Sequence, residues 1–377
     1  MDFSYSEVQK MLQDSVEKFV QKSYDFNTRS KIVDSEDGYS KENWSLFAEL
    51  GWLAVPFSEE DGGLGGSAVD LIVMMEEFGK ANLVEPFTAT TILCGGLVSE
   101  LANGEQKAEM LGKIISGDLQ LACAFSESGS RFNLSKVATS ATSNGNNVII
   151  NGKKIAVLNG SNADELLVVA RESGNETDPD GISIFRVPPN SDGVSIRSFT
   201  NVDGQRSSEI DFNNVTVAGA SRLGEKGDAL GALEKVADRV IVGLSAEAVG
   251  ALETLLKKTV EYSKTRKQFG TVIGTFQALQ HRMADMFIEC QLARSIIVMA
   301  AMKLDGPEGQ REKTKAASAA KSRVGKAIRN VGQEAVQIHG GIGVTNELDI
   351  GHYFKRVTAL EIMFGNTDYH TERFSSL

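Results

Sequence analysis

The sequence predicts an α+β protein with more than one domain. At 377 residues, the chain is long enough to form two or three hydrophobic cores. Helical apolar spacing dominates residues 1–117, short β-branched runs dominate 118–225, and long amphipathic patterns with few helix breakers return over 226–377. We therefore predict an N-terminal helical domain, a central antiparallel β domain and a C-terminal helical bundle domain over these three ranges.

In the first region, two stretches have the apolar spacing of helices that pack against a core. Trp44–Leu50 is followed by Gly51, and Ala68–Phe78 is followed by Gly79. Because glycine readily adopts the left-handed conformation in which many helices terminate, we predict that each glycine ends its helix.

The central region contains four predicted strands. Each is short, rich in β-branched or aromatic residues, and bounded by Gly, Asn, Pro or Asp. Such runs separated by turn residues are typical of antiparallel sheets. The four strands are Val148–Ile150, Glu165–Ala170, Ile182–Val187 and Glu209–Phe212.

Composition argues against several classes of function. The net charge of −11 disfavours a general nucleic-acid or anionic-membrane surface, since both partners reward clustered Lys and Arg. The apolar run 296–302 is far shorter than a membrane span, and the N-terminus lacks an export signal. Cys94, Cys123 and Cys290 are widely spaced, which favours reduced, buried thiols over disulfides or a zinc site. We predict a cytoplasmic protein without a metal site.

Two C-terminal segments contain residues suited to a phosphorylated ligand. The glycine-rich segment 340–343 follows a predicted helix instead of a strand, which disfavours a Rossmann phosphate loop and favours a simple helix-ending turn. Its backbone could still approach a phosphate or adenine closely. Arg266 and Lys267 precede a break between helical stretches, where cations suit either a pyrophosphate or a solvated helix end. The residues alone leave these alternatives open.

Taken together, these segments resemble the acyl-CoA dehydrogenase family. The resemblance extends from end to end of the chain and is carried most specifically by residues 266–270 (Arg-Lys-Gln-Phe-Gly), 276–286 and 337–343. It implies the three domains of the family, with a four-helix bundle in the last, and an FAD cofactor. It also implies an obligate oligomer, such as a tetramer, because the ADP part of FAD is contacted across a subunit interface. The implied contacts are Arg266, Phe269, Gln277, Gln337, Gly340 and Gly341.

The central domain resembles the family more loosely. Its flavin-facing loop corresponds to residues 124–131 here, so Ser126 and Ser128, together with Ser130, are candidate donors to flavin or phosphate oxygens. A surface turn is the alternative for this Ser- and Gly-containing segment.

Other positions in the central domain depart from the family pattern. Ala156 stands where the family has a tryptophan over the flavin, and Leu158 stands where it has a threonine near the reactive ring. Because leucine cannot donate a hydrogen bond, we expect altered contacts with that ring. Arg206 is a candidate ligand for the phosphates or adenine of acyl-CoA, and a solvent-facing hairpin arginine is an equal alternative.

The resemblance implies a general base, but neither position that carries the base in the family is a carboxylate here. The two positions correspond to Phe364 and, on the first helix of the C-terminal domain, Val240. The base must remove a proton next to the thioester, which requires a desolvated carboxylate within hydrogen-bond reach. Phe364 could still contribute its backbone N–H to the oxyanion hole.

Several titratable residues near these positions are candidates for a displaced base. Asp238 is the first of them, because it lies two residues from Val240, although on another face of the helix. An ion pair with Arg239 is the alternative for Asp238. The other candidates are Glu247, Glu361, Asp368 and His370.

The C-terminal segment, over Tyr353–Arg356, 364–370 and Arg373, resembles the small subunits of two-component acyl-CoA dehydrogenases, nearest to those of the pimeloyl-CoA type. This implies a homologous large subunit that supplies the glutamate, an acyl-CoA substrate and an electron-transfer flavoprotein. We therefore predict an FAD-dependent α,β-dehydrogenation of an acyl-CoA thioester by a heteromeric enzyme. A self-sufficient flavoenzyme with a displaced base, and a catalytically silent FAD- or acyl-CoA-binding scaffold, are the alternatives.

Overall fold

A computed structural model describes residues 5–377 of the chain. The chain divides into two compact units. The first contains the chain up to Lys31 together with Ser67–Leu83 and Ile241–Leu377, and the second contains Ile32–Gly66 and Val84–Val240. The predicted N-terminal helical region therefore contributes to both units. Within the described residues, no helix has both the length and the apolar character needed to span a membrane.

The helices and strands follow the predicted order of helical, β and helical regions. The α-helices are α1 (Glu7–Ser23), α2 (Phe26–Val33), α3 (Lys41–Glu49), α4 (Ala68–Ala81), α5 (Gly95–Leu101), α6 (Gly104–Ile115), α7 (Leu230–Thr265), α8 (Gln277–Asp305), α9 (Gln310–His339), α10 (Asp349–Ile362) and α11 (Thr367–Ser376). The strands are β1 (Leu121–Ala124), β2 (Ser140–Asn144), β3 (Asn147–Leu158), β4 (Glu165–Arg171), β5 (Ile182–Val187), β6 (Val194–Thr200), β7 (Arg206–Ala218), β8 (Arg222–Leu223), β9 (Lys267–Gln268) and β10 (Thr271–Val272). Short 3-10 helices occur at Trp52–Ala54, Glu59–Asp61, Gly219–Ser221, Ile273–Thr275 and Gly340–Val344, and Thr88–Cys94 is π-helical.

The first unit is a helical assembly in which α8, α10 and α11 all pack against α9, and α4 packs against α1 and α8. The α9 helix is suited to this central place because small residues line its buried side and allow neighbouring helices to approach closely. Those buried small residues include Ala316, Ala317, Ala320, Gly325 and Ala335.

Two glycines bring α4 and α7 into backbone contact within this unit. A Cβ atom at Gly79 would lie 1.9 Å from the carbonyl oxygen of Glu247, and one at Gly250 would lie 1.9 Å from that of Glu76. The prediction that Gly79 ends its helix is therefore wrong, because Gly79 serves helix packing and α4 continues to Ala81. Gly51 does follow the end of α3 in the left-handed region, with φ 74°.

The second unit contains an eight-stranded sheet with strand order β6-β7-β3-β2-β4-β5-β8, to which β1 adds beside β4. Most pairings are antiparallel, as predicted, but β1 runs parallel to β4 and β2 meets β4 through one parallel pair. The four predicted strands are confirmed and lie within β3, β4, β5 and β7. The β4 strand is central, since Leu166–Ala170 are all fully buried, which explains their uninterrupted apolar run.

The three cysteines, Cys94, Cys123 and Cys290, are buried free thiols, as predicted.

Candidate cofactor and active site

An exposed hairpin follows α7 in the first unit. β9 and β10 pair antiparallel, and Phe269 and Gly270 form the turn between them with φ values of 55° and 82°. Phe269 is 92% exposed, although it is aromatic and has an uncommon left-handed backbone. A hairpin that presents a large apolar side chain in this way is suited to contact with another surface.

The glycine turn lies beside the end of α7. The Tyr262 and His339 rings stack at 4.3 Å, and the Tyr262 hydroxyl donates to the His339 carbonyl at 3.4 Å. Gly340 directly follows α9, which confirms a helix-ending turn. The backbone N–H of Arg266 donates to the backbone carbonyl of Tyr262 at 2.9 Å. The structure thus brings together two segments that are 70 residues or more apart in the sequence. The aromatic stack that joins them was not anticipated, because nothing in the local sequence pairs those rings.

Several polar groups in these segments are uncommitted. Arg266, Gln277 and Gln337 are exposed, and their side chains form no hydrogen bond or ion pair with any residue in 5–377. A Cβ atom at Gly340 or Gly341 would meet nothing within 4 Å, so the backbone of this turn is uncovered.

In the second unit, the loop after β1 is attached to an irregularity in β3. The register of β3 against β7 shifts between Lys154 and Val157, and Ala156 in this bulge has φ 51°. The backbone N–H of Ile155 donates to the carbonyl of Ser126 at 2.9 Å, so the loop lies against the bulge. The predicted loop residues and the ring-side position Ala156 are therefore neighbours.

The three serines of this loop differ in availability. The Ser130 hydroxyl is committed, because it accepts the N–H of Glu127 at 3.2 Å and donates to the Glu127 carbonyl at 2.9 Å. Ser126 is half-buried and Ser128 is exposed, and neither hydroxyl bonds to another residue within the described chain. Ser130 closes the turn, which leaves Ser126 and Ser128 as the available donors.

Arg206 is neither a free ligand nor a simple solvent-facing residue. Its Nη2 donates to the carbonyls of Val33 and Ser35 at 3.2 and 2.7 Å, and Nη1 donates to the Thr200 hydroxyl. Its guanidinium therefore stabilises the segment after α2.

The turn between α10 and α11 presents Phe364. Phe364 and Gly365 have φ values of 56° and 117°, and Asn366 caps α11 by accepting the N–H of Tyr369 at 3.0 Å. A Cβ atom at Gly365 would lie 2.5 Å from His370 Nε2, so glycine is required for this close approach. The Phe364 side chain is half-buried.

The carboxylates nearest to this turn in the sequence have different environments. Glu361 accepts the N–H and hydroxyl of Thr367 at 3.1 and 2.9 Å and pairs with Arg329 at 3.0 Å. Burial alone would raise the pKa of Glu361, but the hydrogen bonds from Thr367 and the charge of Arg329 outweigh it and lower the pKa. A general base needs a raised pKa, so Glu361 is unsuited to that role. Asp368 is solvent-exposed, so it lacks the desolvation that the base requires.

Glu247 is also committed. Its two carboxylate oxygens accept from Nε and Nη2 of Arg356 at 2.6 and 2.9 Å, and both side chains are buried. Such a two-point pair holds helices α7 and α10 together within the first unit. In the second unit, Asp238 and Val240 lie on α7 with no exposed surface.

The family models now decide the identity of the chain. The N-terminal, middle and C-terminal domain models of acyl-CoA dehydrogenase match residues 6–118, 122–215 and 239–375. The probable acyl-CoA dehydrogenase YngJ of Bacillus subtilis is 30% identical over 373 residues, which cover 98% of this chain and 97% of YngJ. The chain belongs to the acyl-CoA dehydrogenase family.

Solved structures support the same membership. Butyryl-CoA dehydrogenase from Megasphaera elsdenii is similar with a TM-score of 0.91 and 26% identity, covering 100% of this chain and 99% of that one. The FAD complex of PigA is similar with a TM-score of 0.92 and 26% identity, covering 100% of this chain and 98% of that one. This acyl-CoA dehydrogenase family member is an oxidoreductase, and FAD is its cofactor.

The described residues fit that cofactor. An exposed guanidinium at Arg266, two uncommitted amides and an uncovered glycine backbone match the needs of a pyrophosphate and an adenine. Around the bulge of β3, Ala156 is exposed and Leu158 is half-buried, so this acyl-CoA dehydrogenase family member offers an apolar surface there.

Proposed function

We propose that this chain is a subunit of an FAD-dependent acyl-CoA dehydrogenase whose catalytic glutamate comes from a homologous large subunit. The reaction is the α,β-dehydrogenation of an acyl-CoA thioester. One observation carries the proposal: Phe364, at the position where the family resemblance expects the base, is held in a well-defined turn whose neighbouring buried carboxylate is already committed.

The proton chemistry motivates the partner. FAD, when bound, would be the group that takes up the electrons removed from the substrate. The proton next to the thioester carbonyl must go to a carboxylate with a raised pKa, but phenylalanine has no acceptor and the pKa of Glu361 is lowered. Val240, at the second family position, is a buried apolar residue. A carboxylate from another chain would complete the site.

The departures at the flavin-facing positions point the same way. Exposed Ala156 and half-buried Leu158 provide neither an indole to cover the ring nor a hydroxyl to bond to it. Arg266 and the glycine turn, by contrast, keep the groups suited to the ADP part of a cofactor. We infer that this chain retains the cross-interface role while its own ring-side site has diverged.

Exposed apolar residues on α8 and just before it support association with a second chain. This many exposed apolar side chains along one helix are typical of a protein–protein interface. The proposal therefore includes a tetramer, formed either by copies of this chain or by this chain and a large subunit. An electron-transfer flavoprotein as acceptor, a cytoplasmic location and domain boundaries near 117 and 225 belong to it as well. The exposed residues are Phe276, Phe287, Ile288, Leu292, Met299 and Met302.

The proposal is tested by purifying the full chain alone and together with a homologous chain that has Glu at the position of Phe364. Flavin absorbance and acyl-CoA-dependent reduction of a dye acceptor are measured for both. We expect turnover only in the mixed oligomer. Full activity of the chain alone would contradict the requirement for a partner subunit. An oligomer that stays colourless in both preparations would favour the catalytically silent scaffold instead.

Asp238 favours a second candidate function, a self-sufficient flavoenzyme with a displaced base. It is a carboxylate on α7 with no exposed surface, so it meets the requirement for a desolvated group. Asp238→Asn should then abolish turnover of the chain alone while FAD stays bound. An Asp238→Asn variant as active as the parent rules this candidate out.

A further inference from the structure

A buried ion pair joins the flavin-facing loop of the second unit to strand β3. Lys154 on β3 has no exposed surface, Glu127 in the loop is 7% exposed, and Nζ of Lys154 lies 2.6 Å from Oε1 of Glu127. The two residues are 27 positions apart, and the sequence pattern singled out neither of them for a role.

The pair connects the loop to the bulge at two consecutive positions. Nζ of Lys154 also donates to the carbonyl of Phe125 at 3.4 Å, and the next residue, Ile155, donates its N–H to Ser126 at 2.9 Å. Residues 125, 126 and 127 are thereby all bonded to residues 154 and 155. The loop cannot shift relative to the bulge without breaking several of these bonds.

Glu127 also anchors the far end of the same loop. Its carboxylate accepts the N–H of Ala138 at 2.7 Å and that of Thr139 at 3.0 Å. Burial raises the pKa of Glu127, but the charge of Lys154 and these hydrogen bonds outweigh it, so the pKa lies below its ordinary value and the carboxylate is ionised. The loop between positions 127 and 138 is thus closed on a charged group.

The energetics argue that the pair serves geometry. Removing two charges from water costs most of what their attraction returns, so a buried ion pair adds little net stability compared with apolar residues of the same volume. What such a pair does provide is direction, because each charged atom is satisfied only when all its partners are in place.

We propose that Lys154 and Glu127 are positioning residues that set Ser126 and Ser128 against the bulge at Ala156 before FAD binds. The inference rests on the proposed function only in assigning the two serines to the cofactor. The pair orders the loop in the cofactor-free chain, so that binding does not have to order it.

The test uses the full chain with Lys154→Met, Glu127→Gln and the double variant. The matched control is the double variant Arg186→Met with Glu165→Gln, which removes an ion pair between β5 and β4 with a 2.7 Å contact. Four quantities are measured: the thermal midpoint, amide hydrogen exchange over 125–139 without FAD, FAD affinity, and the visible circular dichroism of the bound flavin.

We expect each single variant to lower the thermal midpoint and the double variant to recover part of the loss, because it leaves no unpaired buried charge. The double variant should nevertheless exchange its 125–139 amides faster, bind FAD about tenfold more weakly and show an altered flavin spectrum. The control should lower stability while loop exchange and the flavin spectrum stay as in the parent.

A double variant with parental loop exchange and parental FAD affinity would overturn the inference. Glu127→Asp keeps the charge but shortens the side chain, so it tests the same geometry if a neutral variant fails to fold. If the parent itself takes up no FAD, alone or with a homologous chain, the proposed function fails, and the exchange measurement still decides whether the pair orders the loop.

Discussion

Nε2 of His370 lies 3.0 Å from the carbonyl oxygen of Phe364, so the imidazole N–H donates to the peptide that follows the left-handed residue. Nδ1 lies 3.3 Å from the Ser318 hydroxyl, which therefore donates to it. His370 is fully buried, and burial lowers its pKa from 6.5 to about 3, with the charges of Lys321 and Arg373 acting in the same direction. A neutral imidazole thus holds the turn that presents Phe364, and a pKa this low makes His370 too weak a proton acceptor to act as the base near neutral pH.

His370 should make stability depend on pH. Because its folded pKa of about 3 lies below the ordinary 6.5, the unfolded chain binds the extra proton first. This contribution to stability is complete above pH 6.5 and is lost as the pH falls towards 3, at up to about 1.4 kcal/mol per pH unit. His370→Gln keeps a donor for the Phe364 carbonyl but should remove this slope. Urea unfolding at several pH values between 7 and 4 measures it.

The control for this prediction is His281→Gln, since His281 is exposed on α8. That variant should keep the parental pH slope. A His370→Gln variant with the same slope as the parent would show that His370 does not titrate between the folded and unfolded states as described.

Phe364→Glu should raise acyl-CoA-dependent dye reduction by the chain alone above that of its parent, while the diverged ring-side positions Ala156 and Leu158 keep it below the mixed oligomer. The change places a carboxylate at the position where the family resemblance expects the base, in a turn whose left-handed backbone is already formed, and a positioned base contributes about 10²-fold or more to the rate. Ile362→Glu, an exposed site two residues earlier, is the matched control and should gain nothing. Equal activities of Phe364→Glu and its parent would contradict the conclusion that the absence of a carboxylate at position 364 limits the activity of the chain alone.

Gly79→Ala should be strongly destabilising. The added Cβ would lie 1.9 Å from the Glu247 carbonyl oxygen, so α4 and α7 would have to separate, at a cost of about 3 kcal/mol or more. Gly112→Ala in α6 is the control, since a Cβ there meets nothing within 4 Å and should be neutral or stabilising by up to about 1 kcal/mol. Denaturant unfolding of both variants distinguishes close packing from helix propensity, and similar effects at both sites would contradict the packing argument.

Arg266→Met should weaken FAD binding by the assembled oligomer about tenfold, because it removes an exposed guanidinium suited to a pyrophosphate. Lys257→Met, which changes an exposed cation on α7, the helix that directly precedes Arg266, should bind FAD as the parent does. Fluorescence titration of the cofactor-free protein provides both values. Equal affinities of the two variants for FAD would contradict the assignment of Arg266 as a contact of the pyrophosphate.

Much of the fold followed from local pattern. The order of helical, β and helical regions and the strands within β3, β4, β5 and β7 were predicted, because their apolar runs are long and bounded by turn residues. β6 was missed because most of its residues are exposed and few are apolar. Gly79 was misassigned because a glycine that ends a helix and one that admits a neighbouring backbone look the same in sequence.

By itself, the sequence determined the family, the cofactor class and the residue types at the two positions where a base would be expected. Only the tertiary structure decided which polar groups remain available. Glu361, Glu247, Ser130 and Arg206 each have partners that lie up to about 170 positions away or close a local turn, and no local pattern encodes such pairings. The reason is physical: a residue's type sets the chemistry it can perform, but the contacts it makes on folding determine its charge, its burial and its freedom to act.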